Sequence, residues 1–167
     1  RSKGLNLWQY IYTKNYSLRN FFNYFFKILI GGEKSGLNYI VVRLYQIYGP
    51  HQKINRLIPI AINQLLNNKD FNASSGIQSR DFIHISDVID AIISSIHKIE
   101  NKRGDCYNVG TETSVSINEL ANLMLKLFSK DLKIIHAPLK KGDIQFSQAS
   151  MKKTKNELNF EPKISLN

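Results

Sequence analysis

Few residues in this chain have the type and placement to do chemistry, and Arg80 is the clearest of them. It stands just ahead of an apolar run, Phe82 to Ile85, at the edge of an expected strand where a guanidinium can meet an anionic ligand. The alternative for Arg80 is a surface ion pair with Asp81 or Asp87. His84 reads as a packed strand histidine, and no second His, Cys or carboxylate lies at ligand spacing to make a metal site with it. A single cysteine, Cys106, excludes an internal disulfide and a multi-cysteine metal centre, and its CYNV setting reads as a small buried strand residue. The formal net charge is +10, which invites an anionic partner. Yet the cations are scattered, with nothing denser than Lys140-Lys141 or the 152–155 run. That pattern argues against nucleic acid, whose binders concentrate charge on one face.

Those residues need elements to hold them. The β-branched and aromatic run from Leu37 to Gln46 predicts a buried strand, stopped at Gly49-Pro50. Ile54 to Asn68 reads as a helix with Pro59 in its first turn, where a missing N–H costs little. A polar loop with one extended segment covers Asp70 to Gln78. The Phe82 to Ile85 strand then runs into a helix capped by Ser86 and favoured by Asp87, reaching His97, with Val88, Ile89, Ile92, Ile93 and Ile96 on the buried side. Asp105 to Val109 is a further strand, and Asn108 there satisfies backbone at the strand end.

The clearest local signal is Ser116 with Glu119, a capping box, with Val115 and Leu120 as its hydrophobic staple. That helix runs to about Phe128. Lys133 to His136 is a short strand and Pro138 to Ser147 a loop. A last helix from about Ser150 to Leu158 stops at Asn159, which can take the left-handed cap. Upstream, Phe21, Phe22, Phe25, Phe26, Ile28 and Leu29 fall at helical spacings and give an aromatic face wider than one sheet contact needs. With Asn23 and Lys27 inside it, the ten-residue stretch from Phe21 to Ile30 is too short and too polar to span a bilayer, and we expect a cytoplasmic protein. Helices alternate with strands, so the fold class is α/β.

In order along the chain, RLYQIYGP, RDFIHISDVIDA, YNVGTETSVSINELA, KKGD and SQASMKKTKNELNFEPKISL resemble motifs of the extended short-chain dehydrogenase/reductase family, the NAD-dependent nucleotide-sugar epimerases and dehydratases. The resemblance covers about residues 16 to 165 as the C-terminal half of such an enzyme. It implies the last part of a Rossmann-type doubly wound sheet plus a small α/β substrate-binding lobe. Residues 1–46 would close the dinucleotide-binding domain and 47–167 form mainly the nucleotide-sugar lobe, with 87–110 returning to the sheet. The Gly-rich turn of the family would precede Arg1, so a fragment is expected, with NAD or NADP as cofactor of the intact protein only. The ligand would be a nucleoside-diphosphate sugar, bound by Gln46 in the family's asparagine slot, by Arg80 at the diphosphate and by Lys141 in place of a nucleotide-contacting arginine. All three should border one pocket. The equivalent of the 17–30 helix often makes a dimer contact in the family, which implies a homodimer.

Such enzymes use a Tyr-x-x-x-Lys pair. The tyrosine moves a proton at a sugar hydroxyl while hydride passes to the nicotinamide, and the lysine lowers the phenol pKa from about 10. Tyr16, 30 residues before Gln46, takes the tyrosine position. The residue four on is Asn20, which carries no charge and is a poor replacement for the lysine that also holds the nicotinamide ribose. Arg19, one position earlier, is a nearby cation that helical spacing could bring toward that face, but its broad fork does not fit a lysine's place unaltered. The chain as given is therefore expected to be inactive. The alternatives are a non-catalytic nucleotide-sugar-binding protein and, from another class, a basic nucleic-acid-binding module, which a steep salt dependence would reveal.

Overall fold

The structure is a computed structural model and describes residues 36–139 and 141–166. Tyr16, Arg19, Asn20 and the 17–30 helix lie outside the described residues. From Tyr39 the chain runs as one extended segment that serves two sheets. Its first part, β1 (Tyr39–Leu44), pairs in parallel with β5 (Arg103–Val109). After Tyr45 its second part, β2 (Gln46–Tyr48), pairs in parallel with β4 (Ser79–His84). The single strand expected up to Gln46 is thus two strands divided between neighbours. Gly49 ends it at φ +141°, where a Cβ would stand 2.6 Å from Ile85 Cγ2. A side chain cannot fit there.

The first helix among the described residues, α1 (Leu57–Leu66), keeps Pro59 in its opening turn, and its first backbone bond runs from Ile60 N to Arg56 O at 2.9 Å. A short strand, β3 (Phe71–Ala73), pairs in parallel with β7 (Ile134–His136). Ser114–Ser116, β6, was not expected from the sequence. It runs antiparallel to β4 and delivers the chain into α3 (Ile117–Leu127). There the capping box forms in full: Glu119 N donates to Ser116 Oγ at 3.1 Å, and Ser116 N donates to Glu119 Oε2 at 2.7 Å. The Ser116 backbone amide, and after it the Ser116 hydroxyl donating to Glu119 Oε2 at 2.8 Å, hold the Glu119 carboxyl below its ordinary range. Val115 and Leu120 sit in one apolar cluster. The last helix, α4 (Lys152–Leu158), stops at Asn159 in the left-handed region.

Two cores result, and β4 feeds both. Phe82 points into the cluster of Leu65, Phe71, Leu120 and Met124, while Ile83 points into that of Val88, Tyr107, Val109, Met151 and Leu158. Alternation along a strand makes this possible, because consecutive side chains leave on opposite faces. The same alternation leaves Cys106 half-buried rather than buried, since its neighbours Tyr107 and Val109 take the core side. At the rim of the second core, Lys102 and Tyr107 both donate to Glu157 Oε2, at 2.8 and 2.7 Å, tying α4 to β5. The Lys102 ammonium is the first cause that holds the Glu157 carboxyl low, and Glu157 in turn raises Lys102.

The helix after β4, α2 (Ile85–His97), departs from expectation twice. Its cap is His84, not Ser86: the strand runs straight into the helix, and His84 Nδ1 accepts from Ser86 N at 3.3 Å. Its buried face carries Asp87, Val88, Ala91 and Ser95, whereas Ile89, Ile93 and Ile96 are 47–60% exposed. The cause is polar. Asp87, 2% exposed, turns inward to accept from Lys163 N and Ile164 N, each at 3.0 Å, and a 3.6-residue period then carries Ile89, Ile93 and Ile96 outward.

Asp81 is buried more tightly still, at 1% exposure, and four donors converge on it. Thr111 N and Thr111 Oγ1 reach Oδ1, both at 2.7 Å, while Glu112 N and Ala149 N reach Oδ2 at 3.1 and 2.9 Å. Gly110 lets this happen, because a Cβ there would stand 2.6 Å from Asp81 Oδ2 and 2.5 Å from Ala149 Cβ. Asp81→Asn should therefore lower unfolding free energy by about 2–4 kcal/mol, since an amide can accept at only one of the two positions and sets its NH₂ against buried N–H groups. Urea denaturation checks this, and a loss below about 1 kcal/mol would contradict it.

Candidate functional site

Gln78, Arg80 and Phe82 alternate along or just before β4 and share one face, so all three border the same cavity, of about 270 Å³. Gln46, the first residue of β2, joins them because it pairs with Phe82 across the ladder. The opposite wall comes from the entrance to α1, with Asn55, Arg56 and Leu57, and Ser74 and Ile117 complete it. The lining thus mixes two arginines, four neutral hydrogen-bonding side chains and three apolar groups. Such a mixture suits an anionic ligand that also carries a flat or apolar part.

Arg80 is half-buried and fixed. Its Nη1 donates to Ser79 O at 2.8 Å and to Ile144 O at 2.6 Å, and its Nη2 donates to Asp143 Oδ1 at 3.0 Å. The ion-pair partner is therefore Asp143, not Asp81 or Asp87, which spend their oxygens on backbone amides. Arg56 occupies the cap position of α1 without a side-chain cap bond and is exposed. Lys141 is exposed and does not line the cavity, although Asp143, two residues on, is held by Arg80. Gln46 and Arg80 thus meet at one cavity and Lys141 stands outside it.

Arg56, Asn55, Ser74 and Gln78 are site residues that the sequence reading did not single out. A signal existed for Gln78, two positions before Arg80 and so on the same strand face. None existed for Arg56, whose approach depends on how α1 packs across the sheet edge.

A second cleft, of about 500 Å³, lies between β5 and α4 and includes Arg43, Cys106, Asn108 and Lys153. It is larger, but it is a poorer site. Lys153 is committed to Asp105 at 2.7 Å, Glu157 to Lys102, and Asn108 donates to Ser150 O at 3.2 Å, as a strand-end amide should. Among the described residues no group of three or more His, Cys, Asp or Glu could hold a metal ion, and no helix is long and apolar enough to cross a membrane.

Nor do the described residues fit a dinucleotide. A pyrophosphate needs free amides at a glycine turn between a strand and a helix. Here both direct strand-to-helix junctions lack that turn, and several of their amides are already spent. Ser86 N donates to His84, Ile117 N to Gln78 O, Asn118 N to Gly76 O and Glu119 N to Ser116.

Comparison with known proteins agrees with this geometry. Residues 23–110, more than half of the chain, match the NAD dependent epimerase/dehydratase family. The chain belongs to that family. It is 30% identical over 148 residues to UDP-N-acetyl-alpha-D-glucosaminuronate decarboxylase of Bacillus cytotoxicus, covering 83% of this chain and 46% of that protein. It is 33% identical over 92 residues to human dTDP-D-glucose 4,6-dehydratase, covering 54% and 26%. Among solved structures, UDP-glucose 4-epimerase of Thermotoga maritima with UDP-glucose superposes with a TM-score of 0.80 at 26% identity, over 87% of this chain and 47% of that one. A dTDP-glucose 4,6-dehydratase of Bacillus anthracis in complex with NAD gives a TM-score of 0.74 at 27% identity, over 82% and 43%. The chain therefore has the family's Rossmann-type α/β fold and spans less than half the length of these relatives.

Proposed function

We propose that the protein is a C-terminal part of an NAD-dependent nucleotide-sugar epimerase or dehydratase, and that the described residues hold the nucleoside diphosphate of its substrate. The observation that carries this reading is the convergence of Gln46, Arg56 and Arg80 on one cavity in a chain of this family. Arg80 has the fork for phosphate oxygens and is already oriented by three bonds. Arg56 brings a second, exposed charge from the other wall. Gln46 offers an amide for the sugar or its phosphate, with Leu57 and Phe82 as apolar walls. In the whole protein NAD would be held by residues other than those described. Lys141 is left as a peripheral charge that approaches the ligand only if its segment moves.

Tyr16 takes the position of the group that moves a proton at a sugar hydroxyl. Asn20 cannot supply the positive charge that makes such a phenol an effective base near neutral pH. That substitution favours a second reading, a nucleotide-sugar-binding protein without turnover. The aromatic stretch from Phe21 to Leu29 supports association as a homodimer in either case.

Calorimetric titration with UDP tests the binding reading. The parent chain should bind, and Arg80→Ala should weaken binding by about 1.5–3 kcal/mol, the worth of a charged hydrogen bond. Unchanged affinity would overturn the assignment. Turnover of a nucleoside-diphosphate sugar by the intact protein separates the two functions. The parent should be slow, and Asn20→Lys should raise turnover by roughly 10²–10⁴-fold. Fast turnover in the parent would show that charge at position 20 is dispensable.

A further inference from the structure

Gln78 is 5% exposed and, among the described residues, the one buried polar residue that borders the cavity. A buried amide must satisfy both its donors and its acceptor, and this one does so in an informative way. Its Oε1 accepts from Ser75 Oγ at 2.8 Å. Its Nε2 donates to Ser74 Oγ and, at 3.4 Å, to Asp143 Oδ2. The other carboxylate oxygen, Asp143 Oδ1, takes Arg80 Nη2 at 3.0 Å. One chain of contacts therefore runs from the Ser74–Gln78 loop through Asp143 to the guanidinium.

The consequence lies in how an arginine meets a carboxylate. Left to themselves the two groups favour a double-pronged contact, with two parallel N–H···O bonds. Such a contact would consume the edge of Arg80 that a phosphate needs. In the structure the contact is single-pronged, and Asp143 Oδ2 accepts from Gln78 Nε2 instead. Both bonds from Nη1 go to the carbonyls of Ser79 and Ile144, so the guanidinium cannot swing away. What remains for a ligand is Nε and the second hydrogen of Nη2.

We propose that Gln78 is a positioning residue for the anion site: by holding Asp143 Oδ2 it keeps the Arg80–Asp143 pair single-pronged and leaves the rest of the Arg80 fork free for a diphosphate. This rests on the reading of the cavity as a nucleotide-sugar site. Gln78 does not itself need to touch the ligand. Its amide matters because it is neutral and donates: a carboxylate of the same shape would repel Asp143 and drive both oxygens onto Arg80.

The test is a double-mutant cycle read by calorimetric titration with UDP, using the full chain. The parent, Gln78→Glu, Arg80→Ala and the double variant are compared, with Gln78→Met as a neutral second variant of similar length. Gln78→Glu should bind UDP roughly tenfold more weakly than the parent at neutral pH. The deficit should shrink on acidification toward about pH 5, as the introduced carboxyl gains a proton and can donate to Asp143 again. Gln78→Met, which never donates, should be weakened at both pH values. In the Arg80→Ala background neither change at position 78 should weaken binding further, because the residue through which Gln78 acts is gone. Equal losses in both backgrounds would mean that Gln78 only shapes the loop, and would overturn the proposal. So would full affinity in both single variants of Gln78 while Arg80→Ala is impaired, which leaves the cavity reading standing. A parent that does not bind UDP would overturn the cavity reading itself, and the proposal with it.

Discussion

The structure depends on a buried carboxylate, Asp81, that has no ion-pair partner among the described residues. Asp81 is taken out of water and repaid by four donors, three of them backbone amides, from segments about 30 and 70 residues away in sequence. The turn after β5 and the segment entering α4 are both hung on it. A carboxylate is the right group for this, since it accepts at two oxygens and offers no donor to clash with converging N–H groups. Six residues later Asp87 repeats the device, holding the amides of Lys163 and Ile164, while Tyr48 Oη donates to Ser165 O at 3.1 Å. Burial and the nearby Asp87 charge both raise the Tyr48 pKa, so the hydroxyl stays a donor. The C-terminal segment is strapped across β2 and the start of α2 by these bonds.

That constraint explains where the site lies. With Asp81 fixed inward, alternation along the strand turns Arg80 the other way, toward the cavity, and places Gln78 and Phe82 beside it. One hydrogen-bonded stretch, from Gln78 to Asp87, thus divides its residues between assembly and binding. The acidic members build the fold, and the arginine and glutamine face the cavity. The ordering also separates cost from function: the charges that are expensive to bury are satisfied by amides, and the charge available to a ligand stays half exposed.

Much of this was legible in the sequence where the physics is local. The capping box at Ser116, the left-handed stop at Asn159 and the place of Pro59 depend only on neighbours within a turn. The family and the α/β fold followed from several motifs in order, each weak alone. What could not be read depended on distant partners. Nothing near Asp87 indicates that its oxygens will be claimed by residues 163 and 164, so the rotation of α2 and the exposure of Ile89, Ile93 and Ile96 were missed. The cap at His84 was misread because the strand runs into the helix without a loop. β6 is three residues of modest strand character that exist because β4 offers an edge. In the site, Arg80 stands out by type and setting and Gln46 through the family resemblance alone, whereas Arg56 is supplied by a helix packed from elsewhere. Lys141 was singled out by its neighbours Gly142 and Asp143, and it is Asp143 that engages the arginine.

The central claim is that the cavity between β2, β4 and α1 is where a nucleoside diphosphate binds. Side-chain amide resonances of the isotopically labelled chain test it most directly, because Gln46 and Gln78 line this cavity while Asn108 and Asn156 line the cleft beside α4. On titration with UDP the NH₂ signals of Gln46 and Gln78 should shift together with the Arg80 guanidinium, while those of Asn108 and Asn156 stay in place. Shifts confined to Asn108 and Asn156 would contradict the account.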